Sequence, residues 1–314
     1  MAALSSVTME HKDDRARFLY ENAGRLTGDL ERASWLIDQT AWALCPLVPI
    51  PDPDFTDRLR HPTHAARMDA EAARQWVQAG RHDIQGFHHA HATFTTGIES
   101  FMSSAIQRAD RVFSLPHTYY HVPDLCALLP LPHHKEVPRE PALCILELPT
   151  PHHPAREVTG LIAELRSLGH RVAMDMTFMP VARERITVDV SEADEIWISM
   201  NKAWDTGSLR PAWRFSREPV PDALTLAHDR QRYSEDSLAA WCHMVATRGY
   251  DDVFDQHVGT YDRVCARFGL TPTNNLLVAG KKGITWEPMH TPNWNYNDLV
   301  GTHNLIAHAG RHFW

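Results

Sequence analysis

Between residues 69 and 268 the apolar positions fall into two textures that take turns along the chain. Short, nearly continuous apolar runs predict buried strands: RVFSL (111–115), LCILEL (143–148), HRVAMD (170–175), EIWIS (195–199) and AWRFS (212–216). Between them, apolar residues return every three or four positions. This spacing predicts helices over 69–79 and 155–169, and a tight turn opening a helix over 95–109. Strand and helix in alternation predict an α/β fold whose mostly parallel central sheet is covered by helices. After Pro219 and Pro221 the pattern changes to two long helices, over 233–248 and 251–268, followed by a short strand within NNLLVAG (274–280). Ahead of the sheet, Phe18, Leu26, Leu30, Trp35 and Trp42 recur at helical spacing, and PLVPIPDPDF (46–55) interrupts regular structure. The expected division is an N-terminal helical arm with a Pro-rich connection (1–68), a large domain (69–218) and a smaller α+β C-terminal domain (219–314).

Composition narrows the class. A hydrophobic content of 43% over 314 residues supports a sizeable core. A formal net charge of −8, without a dense basic block, argues against nucleic acid as a partner. No apolar run approaches the roughly 18 residues that a membrane span needs, and no apolar stretch follows a basic start. The five cysteines (Cys45, Cys126, Cys144, Cys242, Cys265) are scattered and never form C-x-x-C, as expected of reduced thiols in a cytoplasm.

The 21 histidines, with His88, His89 and His91 in FHHAHATF and pairs at His133–His134 and His152–His153, raise a different-class alternative: a histidine-rich metal-binding enzyme. No H-E-x-x-H arrangement appears, and high histidine content is usually compositional, so no metal site is expected. His91 is close enough in sequence to TTG (95–97) to approach whatever that loop binds.

In open α/β sheets, ligands bind where strands end. Three predicted ends carry chemically distinct groups: Asp175, then Ser199 with Lys202, then Arg210. A lysine amine forms a Schiff base with an aldehyde, an arginine fork and a hydroxyl hold a phosphate, and a buried carboxylate keeps a pyridine nitrogen protonated. Those are the requirements of pyridoxal 5'-phosphate. Taken singly, Asp175 reads equally as a turn residue, Arg210 as half of a structural ion pair, Ser199 as a turn cap and Tyr119 as packing.

The segment SMNKAWDTGSLRPAW (199–213) resembles the lysine motif of the aspartate aminotransferase-like family of pyridoxal-phosphate enzymes, with Ser199 three residues before Lys202 and Arg210 eight after. GSLRPAW is loosely similar to the alliinase and tryptophan aminotransferase branch. TTGIES (95–100) is similar to the family's phosphate loop, PHTYY (116–120) to its ring-stacking segment, LPTPHHPA (148–155) to N-P-x-N-P-x-G, and DMTF (175–178) to D-x-x-Y.

The resemblance implies a three-layer large domain binding the cofactor over 69–218, built as a homodimer. It implies that Lys202 is catalytic and that Asp175, Ser199, Arg210, Thr96, Gly97, Tyr119 and His153 bind the cofactor. His153 stands where the family has an asparagine, Phe178 where it has a tyrosine, and Asn201 where a second hydroxyl is usual. His303, in THNLIAHAG, stands where the family grips the substrate carboxylate with arginine, and Arg311 is the nearest substitute. The implied activity is transfer of an amino group from an amino acid to a keto acid in the cytoplasm. A lyase or other specialised biosynthetic enzyme is the alternative, and binding without turnover a further one.

Overall fold

The computed structural model describes residues 70–116, 119, 121–150, 155–200, 203, 209–280 and 299–301. The N-terminal arm, the Pro-rich connection, Lys202, His153, His303 and Arg311 lie outside these residues. The order of elements is α1 (Ala70–Gln78), β1 (Asp83–Gln85), β2 (His91–Thr96), α2 (Ile98–Gln107), β3 (Val112–Ser114), α3 (His121–Leu128), β4 (His133–His134), β5 (Leu143–Glu147), α4 (Ala155–Ser167), β6 (Arg171–Asp175) and β7 (Thr187–Asp189). It continues with β8 (Glu195–Ser199), β9 (Pro211–Ser216), α5 (Ala223–Asp229), α6 (Glu235–Thr247), α7 (Asp252–Phe268), β10 (Thr271–Pro272), β11 (Val278–Gly280) and β12 (Leu299–Gly301).

Among the described residues, seven strands form the central sheet in the order β2-β9-β8-β6-β5-β3-β4. Strands β8, β6, β5, β3 and β4 run parallel, whereas β9 is antiparallel to both its neighbours, β2 and β8. The α/β fold with a mostly parallel sheet is therefore as the apolar pattern predicts. The pattern did not single out β1, β2, β4, β7, β10, β12, α3 or α5: β2, for one, is written HATFTT and β4 is two histidines, so neither carries an apolar run.

Strands β5, β8 and β9 are buried at every position, which is why they read as apolar runs rather than as alternating ones. Their side chains still alternate between two cores. Leu143 and Ile145 of β5, Ala173 of β6, Trp197 of β8 and Ala212 of β9 pack with Ile98, Phe101, Met102, Ala105 and Ile106 of α2. Cys144, Leu146, Val172, Met174, Ile196 and Ile198 face the other way, toward Val158, Ile162 and Leu165 of α4 and toward Trp241 of α6. The α2 positions repeat at i, i+3, i+4, i+7 and i+8, a single stripe of one helix.

Helix α2 is fastened at its C-terminal end by Arg108, which donates to Glu195 (2.9 Å). Glu195 also receives Arg171 (3.2 Å) and the Trp197 indole (3.1 Å). Fully buried Arg214 of β9 donates to Asp222 at 2.6 and 3.1 Å and to the Thr225 hydroxyl at 2.7 Å, pinning the start of α5 to the sheet. Burial alone would raise the Asp222 carboxyl, but bonds from Arg214, Ser104 and the Thr225 amide hold it well below the ordinary carboxylate range. Helix α7 ends at Gly269, whose φ of 64° is the left-handed cap a glycine adopts without a Cβ clash.

Several of the numerous histidines serve the backbone. His82 Nδ1 accepts the Ile186 amide (3.1 Å), so Nε2 carries the proton and donates to the Met179 carbonyl (2.9 Å). His170 accepts the Ala142 amide and His228 the Phe94 amide. Among the described residues, no three His, Cys, Asp or Glu side chains group closely enough to hold a metal ion. No helix among them is long and apolar enough to cross a membrane.

Burial, reinforced by the positive charge of Arg81, pushes His82 from 6.5 down to about 4. The unfolded chain takes up this proton near its ordinary pKa and the folded chain refuses it until about pH 4. The contribution to stability is therefore whole above pH 6.5 and is lost as pH falls through that window. Urea unfolding followed from neutral pH down to about pH 4 is expected to lose roughly 3 kcal/mol by this route, and His82→Gln to flatten that part of the profile.

Candidate active site

Parallel strands β5, β6 and β8 end at one edge of the sheet, at Glu147, Asp175 and Ser199. Glu147 is the register partner of Asp175, and Asp175 of Trp197. By the two-residue alternation, Glu147, Asp175 and Ser199 share the sheet face that carries Ile145, Ala173 and Trp197, the face covered by α2. All three are buried, with Asp175 3% exposed. The antiparallel course of β9 returns its start, and Arg210 just before it, to this same edge, where Ser199 is the register partner of Ala212.

Strand β2 then delivers the N-terminus of α2. Thr96 is the register partner of Pro211, and the Gly97 amide donates to the Arg210 carbonyl at 2.6 Å. Gly97 has φ 82°, and a Cβ added there would lie 3.1 Å from Glu99 Oε2 and 3.8 Å from Arg210 Cζ. Glycine is therefore favoured by the backbone conformation, and the Glu99 carboxylate would have to give way slightly to a Cβ, whereas Arg210 would meet it in ordinary contact. Arg210 itself has φ 42°, a left-handed value whose cost, of order 1–3 kcal/mol for a non-glycine residue, marks a position over-determined by its surroundings. Those surroundings include Ser237 at the start of α6, whose hydroxyl donates to the Leu209 carbonyl and lies 3.3 Å from that of Thr96.

The groups are linked in one chain of contacts. Arg210 Nη2 forms an ion pair with Glu99 Oε1, which also accepts the Tyr119 hydroxyl at 3.4 Å. The Tyr119 amide donates to Glu147 Oε1 at 2.6 Å, and Glu147 adjoins Asp175 across the β5–β6 ladder. Asp175 Oδ1 accepts the Thr177 amide at 2.9 Å, a turn bond of the kind an aspartate after a strand makes. Thus Thr96, Gly97, Tyr119, Asp175, Ser199 and Arg210 gather at one edge of the sheet. His91 does not: it begins β2 opposite Ser216, five residues and roughly 17 Å of extended chain from Thr96. Phe178 is buried in the apolar cluster beside α4 and opens the 3-10 turn Met179–Val181.

Three members escaped the sequence reading. Glu147 was legible as an acid ending an otherwise apolar strand, and Glu99 as an acid in a helix's first turn, but both readings are ordinary. Ser237 lies 35 positions after Lys202 and carried no signal.

The residues present can be tested against a phosphate. Arg210 Nε is buried with no hydrogen-bond partner, and so is Glu99 Oε2. A cation with an unused donor, a glycine cradle that a Cβ would fill and the positive end of α2 suit an anion. The group that now meets Arg210 is the Glu99 carboxylate, so the cradle fits a phosphate on condition that Glu99 turns away.

This arrangement defines an α/β protein of three layers whose polar groups collect at the C-terminal edge of a mostly parallel sheet. No family model matches the sequence, and none of the curated proteins does. Solved structures do match. One is N-succinyldiaminopimelate aminotransferase from Mycobacterium tuberculosis, with TM-score 0.55 and 11% identity over 84% of this chain and 90% of that one. Another is a PLP-bound C-S lyase from Staphylococcus hominis, with TM-score 0.55 and 12% identity over 73% and 71%. A third is the histidinol-phosphate aminotransferase from Clostridium acetobutylicum, with TM-score 0.53 and 9% identity over 77% and 82%. The chain has the aspartate aminotransferase-like fold of pyridoxal-phosphate enzymes, as its motifs led us to expect.

Gly97→Ala is expected to destabilise the protein by roughly 1–3 kcal/mol, since it combines a positive φ with a forced contact at Glu99. Urea unfolding of the two proteins at neutral pH measures this; a change of a few tenths of a kcal/mol or less would mean the loop relaxes without strain.

Proposed function

We propose that the protein is a pyridoxal 5'-phosphate-dependent enzyme that acts on an amino acid through Lys202, with transamination to a keto acid as its reaction. The observation that carries this reading is the meeting of Arg210 and the Gly97 turn at the edge where Asp175 also ends its strand. Arg210, Thr96, Ser199 and the amides at the start of α2 would hold the phosphate, their charge and dipole matched to an anion. Asp175 would hold a proton on the pyridine nitrogen, and buried as it is, its carboxylate would be little screened by water. Tyr119, fixed at its amide by Glu147, would lie against the ring face. His153 would contact the ring oxygen, and His303 or Arg311 the substrate carboxylate.

When bound, the cofactor supplies an electron sink for negative charge at the substrate α-carbon. The chain's share is acid and base: the Lys202 amine would remove the proton from that carbon and return one nearby. Which carbon receives it separates a transaminase from a lyase. The likeness to a C-S lyase makes elimination the second reading, in a specialised biosynthetic role. We further propose a cytoplasmic homodimer, in keeping with the scattered thiols and the family's shared sites. The division at residues 69–218 and 219–314 is retained as a proposal for cofactor-binding and C-terminal domains.

The test is direct. Purified protein incubated with pyridoxal 5'-phosphate is expected to gain a visible absorbance that borohydride bleaches, leaving the reduced cofactor covalently on Lys202 by peptide mass analysis. Lys202→Ala is expected to lose the bleachable band and at least a thousandfold in turnover. Protein that stays colourless, or carries label elsewhere, would sink the reading. Amino acids offered with and without a keto acid then separate transamination, which needs the acceptor, from elimination, which does not.

A further inference from the structure

We propose that Glu99 is a built-in counter-anion: it occupies the anion position of the Arg210 cradle, and a phosphate-bearing ligand docks there only by displacing it. The inference takes from the reading above only the identity of the ligand that carries the phosphate.

The ion pair is incomplete on both sides. An arginine fork and a carboxylate can satisfy one another with two parallel bonds. Here one carboxylate oxygen, Oε1, serves both Arg210 Nη2 and the Tyr119 hydroxyl, while Oε2 and Arg210 Nε are both buried and without a hydrogen-bond partner. Leaving a buried charged atom unpaired is costly. The Arg81–Asp251 pair likewise leaves Arg81 Nε and Asp251 Oδ1 without a hydrogen-bond partner, so what singles out Arg210 and Glu99 is that their stranded atoms lie at the N-terminus of α2, beside the Gly97 turn. A phosphate, with more acceptor oxygens than a carboxylate, can take the Nη2 and Nε donors together. It cannot do so while a like charge stands at the same donor.

The fold also provides somewhere for the carboxylate to go. Glu99 lines an open cleft of about 420 Å³ that runs along α2 beside Ser100, Ser103, Ser104 and Gln107, with Asp222 on its other side. Ser100 donates to the Thr96 carbonyl and Ser104 to Asp222, so rotation into the cleft would move the charge from Arg210 toward Ser103 and Gln107 while keeping it on the first turn of α2, where an acid is favourable. In the closed position Glu99 pre-positions both Arg210 and Tyr119. The predicted consequence is a site that stays assembled without cofactor and binds its phosphate more weakly than the cradle alone would.

The experiment compares wild type with Glu99→Gln, which keeps the shape of the side chain and removes its charge. Inorganic phosphate, pyridoxal 5'-phosphate and pyridoxal are the three probes, with binding followed by calorimetry and, for the two aldehydes, by absorbance. Glu99→Gln is expected to bind inorganic phosphate and pyridoxal 5'-phosphate at least tenfold more tightly. Its affinity for pyridoxal, which lacks the phosphate, should stay within twofold, and the gain should vanish when Arg210→Met is added. A merely structural role for Glu99 would weaken all three ligands alike. Should Glu99→Gln fail to unfold cooperatively, Glu99→Ala takes its place.

Inorganic phosphate bound no more tightly by the variant, or a gain that survives Arg210→Met, would overturn the inference whatever the cofactor does. Failure of both proteins to form a borohydride-sensitive band on Lys202 would instead overturn the cofactor reading. In that case a tenfold gain for inorganic phosphate would still support the counter-anion.

Discussion

The hydrogen bond from the Gly97 amide to the Arg210 carbonyl closes the β2–β9 ladder, and the candidate site depends on it. Strand β9 runs antiparallel between β2 and β8, so the segment leading into it must return to the edge where the parallel strands end. That return sets Arg210 against the first turn of α2. Without the antiparallel strand, a guanidinium 111 positions away in sequence from Glu99 would have no reason to meet it. The left-handed backbone at Arg210 and the glycine opposite are local concessions to this closure.

Helix α2 transmits the constraint across the sheet. Its apolar stripe seats it on one face, the Glu195 cluster ties its C-terminal end and the Arg210 pair ties its N-terminal end. Over its ten residues, about 15 Å of helix, it is held at both ends by charge and along its length by packing. Such a helix presents a fixed positive terminus, which is what an anion site requires. The buried Arg214–Asp222 pair does the same for α5, bonding it to β9 on the side that α2 shares.

Several polar groups in and beside the sheet are satisfied by backbone amides. Asp175 takes the Thr177 amide, Glu147 the Tyr119 amide, and His82, His170 and His228 each take an amide from a neighbouring segment. The many histidines that first pointed toward metal thus include several that act as neutral acceptors holding loops to the sheet. Among the described residues Nε of five other arginines is, like that of Arg210, buried without a partner; what distinguishes Arg210 and Glu99 is their place at the start of α2, beside the Gly97 turn.

Apolar runs and helical periodicity were enough to determine an α/β chain with a mostly parallel sheet, because a strand buried on both faces must be apolar throughout and a covering helix needs one stripe. Lys202, Ser199, Arg210 and Asp175 could be named as candidates because their positions after predicted strands and their mutual offsets are local properties. Strand β2 was not legible: HATFTT carries no apolar run, and it is fixed by pairing with β9, more than a hundred residues later. Glu99 and Glu147 were invisible as site residues for a related reason. An acid in the first turn of a helix or at the end of a strand is ordinary in sequence, and only the folding of α2, β5 and the Arg210 turn onto one edge brings those charges within reach of Tyr119 and the guanidinium. What a residue can touch across a hundred positions is set by the sheet's strand order, which no window of sequence contains.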